Sequence, residues 1–346
     1  MRLSTVTSLG LGAMLLTGCQ TTAQPAPEVS LVADSSNHIS QGVYLAEFQA
    51  TSRLASSAQQ LSQQWQNYCQ QNVSDTDLQQ SWQRTMSAWM ALQGQERGPN
   101  AALDLSWQMQ FWPDKKNTTG RKLTQLLKQE GLVDANYIGQ QSVAVQGLGA
   151  LEWLLYDSES PLKTDPNACQ TGEAISEFLA ANARQIAIAW QTNPWQRDSD
   201  NQWYAEYIAL LSNQLDYSMK KLSRPLANIG QPRPYFAESW RSKTSMANLQ
   251  ANLVAMRSLY LAQNGLDEIL RQRGRIDLAD SIKLQFDHTL ENWPQQSSLF
   301  DMLNSREGYR SALSQYNKLE QLKFMIHEEV AVELGVVIGF NATDGD

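Results

Sequence analysis

The stretch DLQQSWQRTMSAWMAL, residues 77–92, sets Leu78, Trp82, Met86, Trp89 and Leu92 three or four positions apart. Side chains so spaced share one face of an α-helix, because a turn takes 3.6 residues. The same period runs through Leu54, Leu61, Trp65 and Tyr68, through Leu249, Leu253, Met256 and Tyr260, and through Tyr309, Leu313, Tyr316, Leu319, Leu322, Ile326 and Val330. Gln, Ser, Lys and Glu fill the opposite faces, and strand-type alternation is nearly absent. Breaks fall at Gly98-Pro99-Asn100, Trp112-Pro113-Asp114, Asn193-Pro194 and Pro225 to Pro234, leaving segments of bundle-helix length between them. The expected fold is therefore all-α, with two helical-bundle domains at residues 39–222 and 223–346. The boundary is placed in LSRPLANIGQPRP, residues 222–234.

Composition narrows the function. The 346 residues are 42% hydrophobic and 18% charged, enough to bury real cores and too apolar for a disordered chain. Against 27 basic residues stand 35 acidic ones, so no broad phosphate-binding surface is expected and nucleic acid is excluded as a partner. Only three His are present beside eleven Trp, which leaves little material for a histidine-built active site.

The first residues read as an address. Arg2 followed by an apolar run to Leu16 has the form of a signal peptide over residues 1–18, too short to span a bilayer as a stable helix. It ends Leu16-Thr17-Gly18-Cys19, which resembles the lipobox of bacterial lipoproteins, with Cys19 as the lipidated residue; plain secretory cleavage is the alternative. Residues 19–38 then form a polar, Pro-containing tether. Gln20 after the Cys, rather than Asp, favours sorting to the outer membrane, so the chain is expected to be membrane-attached through its lipid, with the body facing the periplasm. Lipidation of Cys19 leaves Cys69 and Cys169 as an even pair in an oxidising compartment, where a disulfide is the natural expectation and two separately buried thiols the alternative.

Most catalytic signatures are missing. His327-Glu328 begins like a zincin helix, but position 331 is Ala, where a second ligand His would have to share the face. His38 and His288 have no ligand spacing to it or to each other, and no P-loop, dinucleotide glycine pattern or Gly-x-Ser-x-Gly elbow occurs.

The segment AVQGLGALEWLLYD, residues 144–157, carries the chemistry. On a helix, Glu152 shares its face with Val145, Leu148, Gly149, Leu155 and Tyr156, so a carboxylate points into an apolar surface, which is costly unless paired or liganded. Gly147 and Gly149 each cost about 1 kcal/mol inside a helix and suggest close approach of another backbone or of a ligand. A Glu bonded to Arg or to a helix end, with the glycines serving packing alone, is the alternative.

This segment resembles the Gly-x-His-x-x-Glu signature of the imelysin family, with Gly147 and Glu152 in place and Gly149 where the signature has His. Other parts match in order: the Trp-rich helix ending Arg97-Gly98-Pro99, the run FWPDKKN from Phe111 to Asn117, Glu238-Ser239 followed by Ser242, Ser245 and Asn252, and the tail LGVVIGFNATDGD. The resemblance is closest to imelysin-like lipoproteins associated with bacterial iron uptake. It implies two helical bundles with a site at their interface, and for the family at large a metallopeptidase reading in which the signature His and Glu are metal ligands. Glycine offers no side-chain donor, so Glu152 would be a lone carboxylate ligand to a metal completed elsewhere, and hydrolysis would lack a positioned second group.

The expected interface set is thus Glu152, Gly147, Gly149, Asp114 and Lys115, with Arg241, Ser242 and Ser245 from the start of the second domain. Such a mixed acidic and basic set suits a small polar ligand or a chelated metal better than bare iron. The cofactor is left open, iron or a chelated metal included. The expectation is a non-catalytic binding or accessory lipoprotein in iron acquisition, partnered by outer-membrane or periplasmic iron-transport components, with a metal-dependent peptidase as the alternative and a purely structural role as a third.

Overall fold

The computed structural model describes residues 31–129, 131 and 133–336. The signal peptide, Cys19 and most of the final LGVVIGFNATDGD tail lie outside the described residues. The principal helices are α1 (Gln41–Cys69), α2 (Asp75–Met90), α3 (Thr118–Leu126), α4 (Gly147–Tyr156), α5 (Pro166–Ala189), α6 (Asp200–Leu226), α7 (Ser245–Tyr260), α8 (Ile276–Glu291) and α9 (Arg306–Phe324). No strand occurs among the described residues, only an isolated bridge between Asn228 and Gln231.

Local chemistry sets the helix ends. Ser74 and Asp77 at the start of α2, and Ser199 and Gln202 at the start of α6, form reciprocal capping boxes that satisfy otherwise orphaned N–H groups. Asp165 caps α5, whose first residue is Pro166, a position where the missing N–H costs nothing.

The stripes that identify the helices are buried as the period requires. Leu54, Leu61, Trp65, Leu78, Trp82 and Met86 are fully buried, and α1 packs mainly on α5 and α2. Trp82 donates its indole N–H to the Leu148 carbonyl at 3.0 Å, fixing α2 against the first turn of α4. The last stripe is displaced at its beginning. Ala312 and Gln315 are the buried positions there, while Tyr309, Leu313 and Tyr316 are half-buried and flank them; Leu319, Leu322, Ile326 and Val330 then turn fully inward. Residues Met325–Val330 form a π-helical turn that rotates the end of this helix.

Two expectations about segment limits change. The described residues form one compact unit, and the expected boundary between residues 222 and 223 falls inside α6. Helix α6 packs mainly along α9 and the turn that follows it, and α7 packs on α2 as well as on α6 and α8, so helices of the two halves share surfaces. The end of the expected tether is also part of the body. Asp34 N–H donates to the Gln191 carbonyl at 3.0 Å, and His38 Nε2 lies 2.9 Å from the Asp198 carbonyl.

Cys69, the last residue of α1, is disulfide-bonded to Cys169 in the first turns of α5, with Cα atoms 5.7 Å apart. The pairing expected from cysteine arithmetic is present.

Candidate functional site

Glu152 lies in the middle of α4 and is 5% exposed. One carboxylate oxygen, Oε1, accepts both the Ser242 backbone N–H at 2.9 Å and the Ser242 hydroxyl at 2.8 Å. Burial pushes this carboxyl above the ordinary range, against the two Ser242 hydrogen bonds and the nearby Arg241 charge, which lower it, and with the Glu238 charge, which raises it further.

A cavity of about 40 Å³ lies beside Glu152, walled by Gly149, Asp114, Trp112, Tyr235, Trp240 and Arg241 among others. It is roomy enough for about one water-sized species. Gly149 faces it, and a Cβ built there would meet only the Phe111 carbonyl oxygen at 3.6 Å, an ordinary contact. Gly147 is different. It has φ +66°, and a Cβ there would fall 2.3 Å from the Gln108 carbonyl oxygen and 2.4 Å from that of Met109. Only glycine permits that backbone approach. Gly147 is thus a packing position outside the cavity wall, and Gly149 is the position that opens space beside the carboxylate.

Arg241 is already committed. Its Nε donates to Asp157 Oδ2 at 2.5 Å, its Nη2 donates to Asn117 Oδ1 at 2.7 Å, and its guanidinium lies 4.4 Å from the centre of the Trp240 ring. The ion pair with Asp157 is largely shielded from solvent. Its charge is therefore largely balanced before any ligand enters, and it braces the cavity wall more than it offers a free cation.

Asp114 accepts the Thr118 and Thr119 backbone N–H groups at 2.6 and 2.9 Å, holding the start of α3 at the cavity. Lys115 is exposed and lines a separate hollow with Arg224 and Arg233. Ser245 donates to the Glu238 carbonyl at 2.6 Å and does not reach Glu152 in these bonds. The structure therefore gathers Glu152, Gly149, Asp114, Arg241 and Ser242, and leaves Lys115, Ser245 and Gly147 out of the cavity.

Sequence reading missed Asp157 and Asn117, which hold Arg241, and the aromatic group of Tyr235, Trp240 and Phe300, whose rings contact one another at 4.9 to 5.8 Å. Asp157 carried a signal, as a carboxylate closing the Glu152 helix; Asn117 lay unremarked in FWPDKKN. A larger omission is a fully buried network in which Lys221 pairs with Glu238 at 2.7 Å. Gln93 and Gln110 both donate to Glu238 Oε1, at 2.6 and 3.0 Å, and Gln110 is also a wall of the Glu152 cavity. Burial pulls the Lys221 ammonium below its usual range, and the Glu238 carboxylate works against that.

Among the described residues no group of three or more His, Cys, Asp or Glu side chains is arranged to hold a metal ion. A zinc hydrolase usually has three protein ligands and an open position for water. Glu152, with Gly149 in the place of a second donor, supplies one.

An all-α protein with a buried carboxylate facing a small cavity between α4 and the segment ahead of α7 is the class these features define. The chain belongs to the imelysin family, whose Peptidase_M75 model matches residues 46–324. Its structure is similar to that of an imelysin-like protein from Psychrobacter arcticum 273-4, with a TM-score of 0.72 and 19% identity over 89% of this chain and 99% of that one. It is also similar to a "putative iron-regulated protein A precursor" from Parabacteroides distasonis ATCC 8503, with a TM-score of 0.65 and 13% identity over 86% of this chain and 96% of that one. No curated protein matches the chain.

Proposed function

We propose that this protein is a periplasm-facing lipoprotein that acts in iron acquisition as a non-catalytic binding component, with its ligand site at the Glu152 cavity. The observation that carries the reading is the pairing of Glu152 with Gly149. The carboxylate is buried and oriented by Ser242, yet the neighbouring wall position has no side chain to complete a metal ligand set or to serve as a catalytic partner. A small polar species of the size the cavity of about 40 Å³ admits can use one oriented carboxylate; water activation at a bare metal needs more donors. The name of the Parabacteroides relative supports the iron connection. Attachment through Cys19 at the outer membrane, and an iron-transport partner there, belong to the same reading, since a diacylated or triacylated Cys supplies enough buried chain for stable anchoring.

Glu152→Gln keeps the shape and removes the charge. It should impair growth under iron limitation while leaving helicity and thermal stability close to wild type. Chelator-sensitive peptide cleavage by the wild type that disappears in Glu152→Gln would replace this reading with the peptidase. A variant altered only in stability would make Glu152 a structural residue. Cys19→Ser should move the protein from the membrane fraction to the soluble periplasm.

A further inference from the structure

We propose that a hollow at the end of α6 is a second binding site, which takes a small organic polyanion: a compact carbon body carrying two or more carboxylate or phosphate groups. The hollow encloses about 440 Å³, within the usual range for small-molecule sites. Its charged lining residues are Lys115, Arg224 and Arg233, with no acid among them. The site goes beyond the reading at Glu152, because the two spaces share Pro113 and Phe236 as walls and no charged residue. The chain as a whole carries a formal charge of -8, so three cations with no carboxylate between them are a local reversal of sign.

The backbone brings the three cations together. Helix α6 ends at Leu226, and Ala227, with φ +49°, turns the chain back so that the Arg233 N–H donates to the Pro225 carbonyl at 2.7 Å. Arg233 is thereby laid beside the residue that follows Arg224. The Arg224 guanidinium lies 5.7 Å from the centre of the Trp112 ring, on the segment that leads through Pro113 to Lys115. The Arg233 guanidinium lies 5.7 Å from the centre of the Phe236 ring, which is itself a wall of the hollow. A guanidinium held on a ring face is partly ordered before a ligand arrives, and its N–H fork suits the oxygens of a carboxylate or phosphate. Among the described residues none of the three side chains forms an ion pair or a hydrogen bond. Acids close to them in sequence are engaged elsewhere: Asp114 accepts the Thr118 and Thr119 N–H groups, and Glu238 is paired with Lys221. Lys115 and Arg233 are exposed, so an anion entering from solvent meets them directly. Pro113, Ala227 and Phe236 add apolar wall for a carbon body, and the hollow is far wider than a bare inorganic anion needs.

Isothermal titration of the full-length protein at low salt with propane-1,2,3-tricarboxylate, and with butyrate as a monoanion of similar body, tests this. The tricarboxylate should bind saturably, and butyrate about tenfold or more weaker, the worth of one charge-assisted hydrogen bond. Affinity should fall as sodium chloride is raised, because solvent-facing charges are screened. Lys115→Ala and Arg233→Ala change exposed positions and leave the core untouched. Each should weaken the tricarboxylate about two- to fivefold, the worth of one solvent-facing ion pair, and the double variant about tenfold. Arg310→Ala, which removes an exposed cation of α9 outside the hollow, should leave the affinity unchanged. The proposal is overturned by no saturable tricarboxylate binding to the wild type, by equal binding of tricarboxylate and butyrate, or by undiminished binding in the double variant. It is equally overturned if Arg310→Ala loses as much as Arg233→Ala, if inorganic phosphate binds as tightly as the tricarboxylate, or if the protein sediments with phosphatidylglycerol vesicles while ignoring the tricarboxylate.

Discussion

Lys221 and Glu238 meet at 2.7 Å with each side chain 1% exposed, and they join α6 to the segment that leads into α7. The Lys221 ammonium also donates to Asn252 Oδ1 at 2.8 Å and to Gln93 Oε1, so Asn252 on α7 and Gln93 just beyond α2 meet at the same charge. Buried pairs of this kind add less to stability than their geometry suggests, because desolvating two charges offsets much of their attraction. Their breakage is another matter.

Lys221→Met should destabilise the protein by about 3–5 kcal/mol, since it leaves the Glu238 carboxylate buried and unpaired. Adding Glu238→Gln should recover a large part of that loss. Urea unfolding of the two single variants and the double variant measures the coupling, and a double variant no more stable than Lys221→Met would show that the charge imbalance is not the cause.

The Glu47 carboxyl sits near 8 in the folded protein against 4.5 for an ordinary Glu. An acid raised on folding binds a proton more tightly in the native state, so its contribution is fully present below about 4.5 and is lost as pH rises through about 8. The loss is on the order of 5 kcal/mol at the alkaline end. Glu47→Gln should remove this slope, so the stability difference between variant and wild type should shift in the variant's favour from pH 5 to pH 8.5. A constant difference across that range would contradict the assignment.

The two glycines of α4 should respond in opposite directions. Gly147→Ala places a Cβ against two carbonyl oxygens at a positive φ and should cost several kcal/mol, or about the loss expected of a severe core clash. Gly149→Ala makes only an ordinary contact inside a helix and should be neutral or stabilising by up to about 1 kcal/mol. Thermal unfolding of the two variants decides it.

Replacing Cys69 and Cys169 together by Ser should lower stability by about 2–5 kcal/mol, because the crosslink closes a loop of 100 residues and restricts the unfolded chain. Denaturant midpoints with and without reductant should converge in the variant and differ in the wild type.

The helices were legible because their apolar residues repeat at the helical period, and Glu152 was legible because it interrupts one of those faces. Lys221 was not. It follows Lys220 on a long helix and reads as half of a solvated basic pair, and only the packing of α6 against elements more than a hundred residues away in sequence, around Gln93, turns it inward. Glu47 was hidden for a similar reason, in VYLAEFQA, where a carboxyl beside aromatic residues looks like a helix surface until the Gln95 loop covers it. The boundary placed near residue 222 falls inside α6, because proline and glycine mark the end of that helix without telling which helices it packs on. Arg241 lines the cavity beside Glu152, and its engagement by Asp157 depends on a pairing across 84 residues that no local pattern encodes.

The route of α6 bears on how the molecule would come apart. Ile229, in the turn that follows this helix, is 88% exposed and offers a protease an accessible peptide. A single cut there would sever the backbone without releasing either piece: α6 on the upstream fragment is clasped by α9 of the downstream one, and α7 downstream is seated on α2 upstream. The nicked protein should migrate as two bands in denaturing gels and as one particle on a sizing column, its halves tied by the interlocking of their helices rather than by the chain.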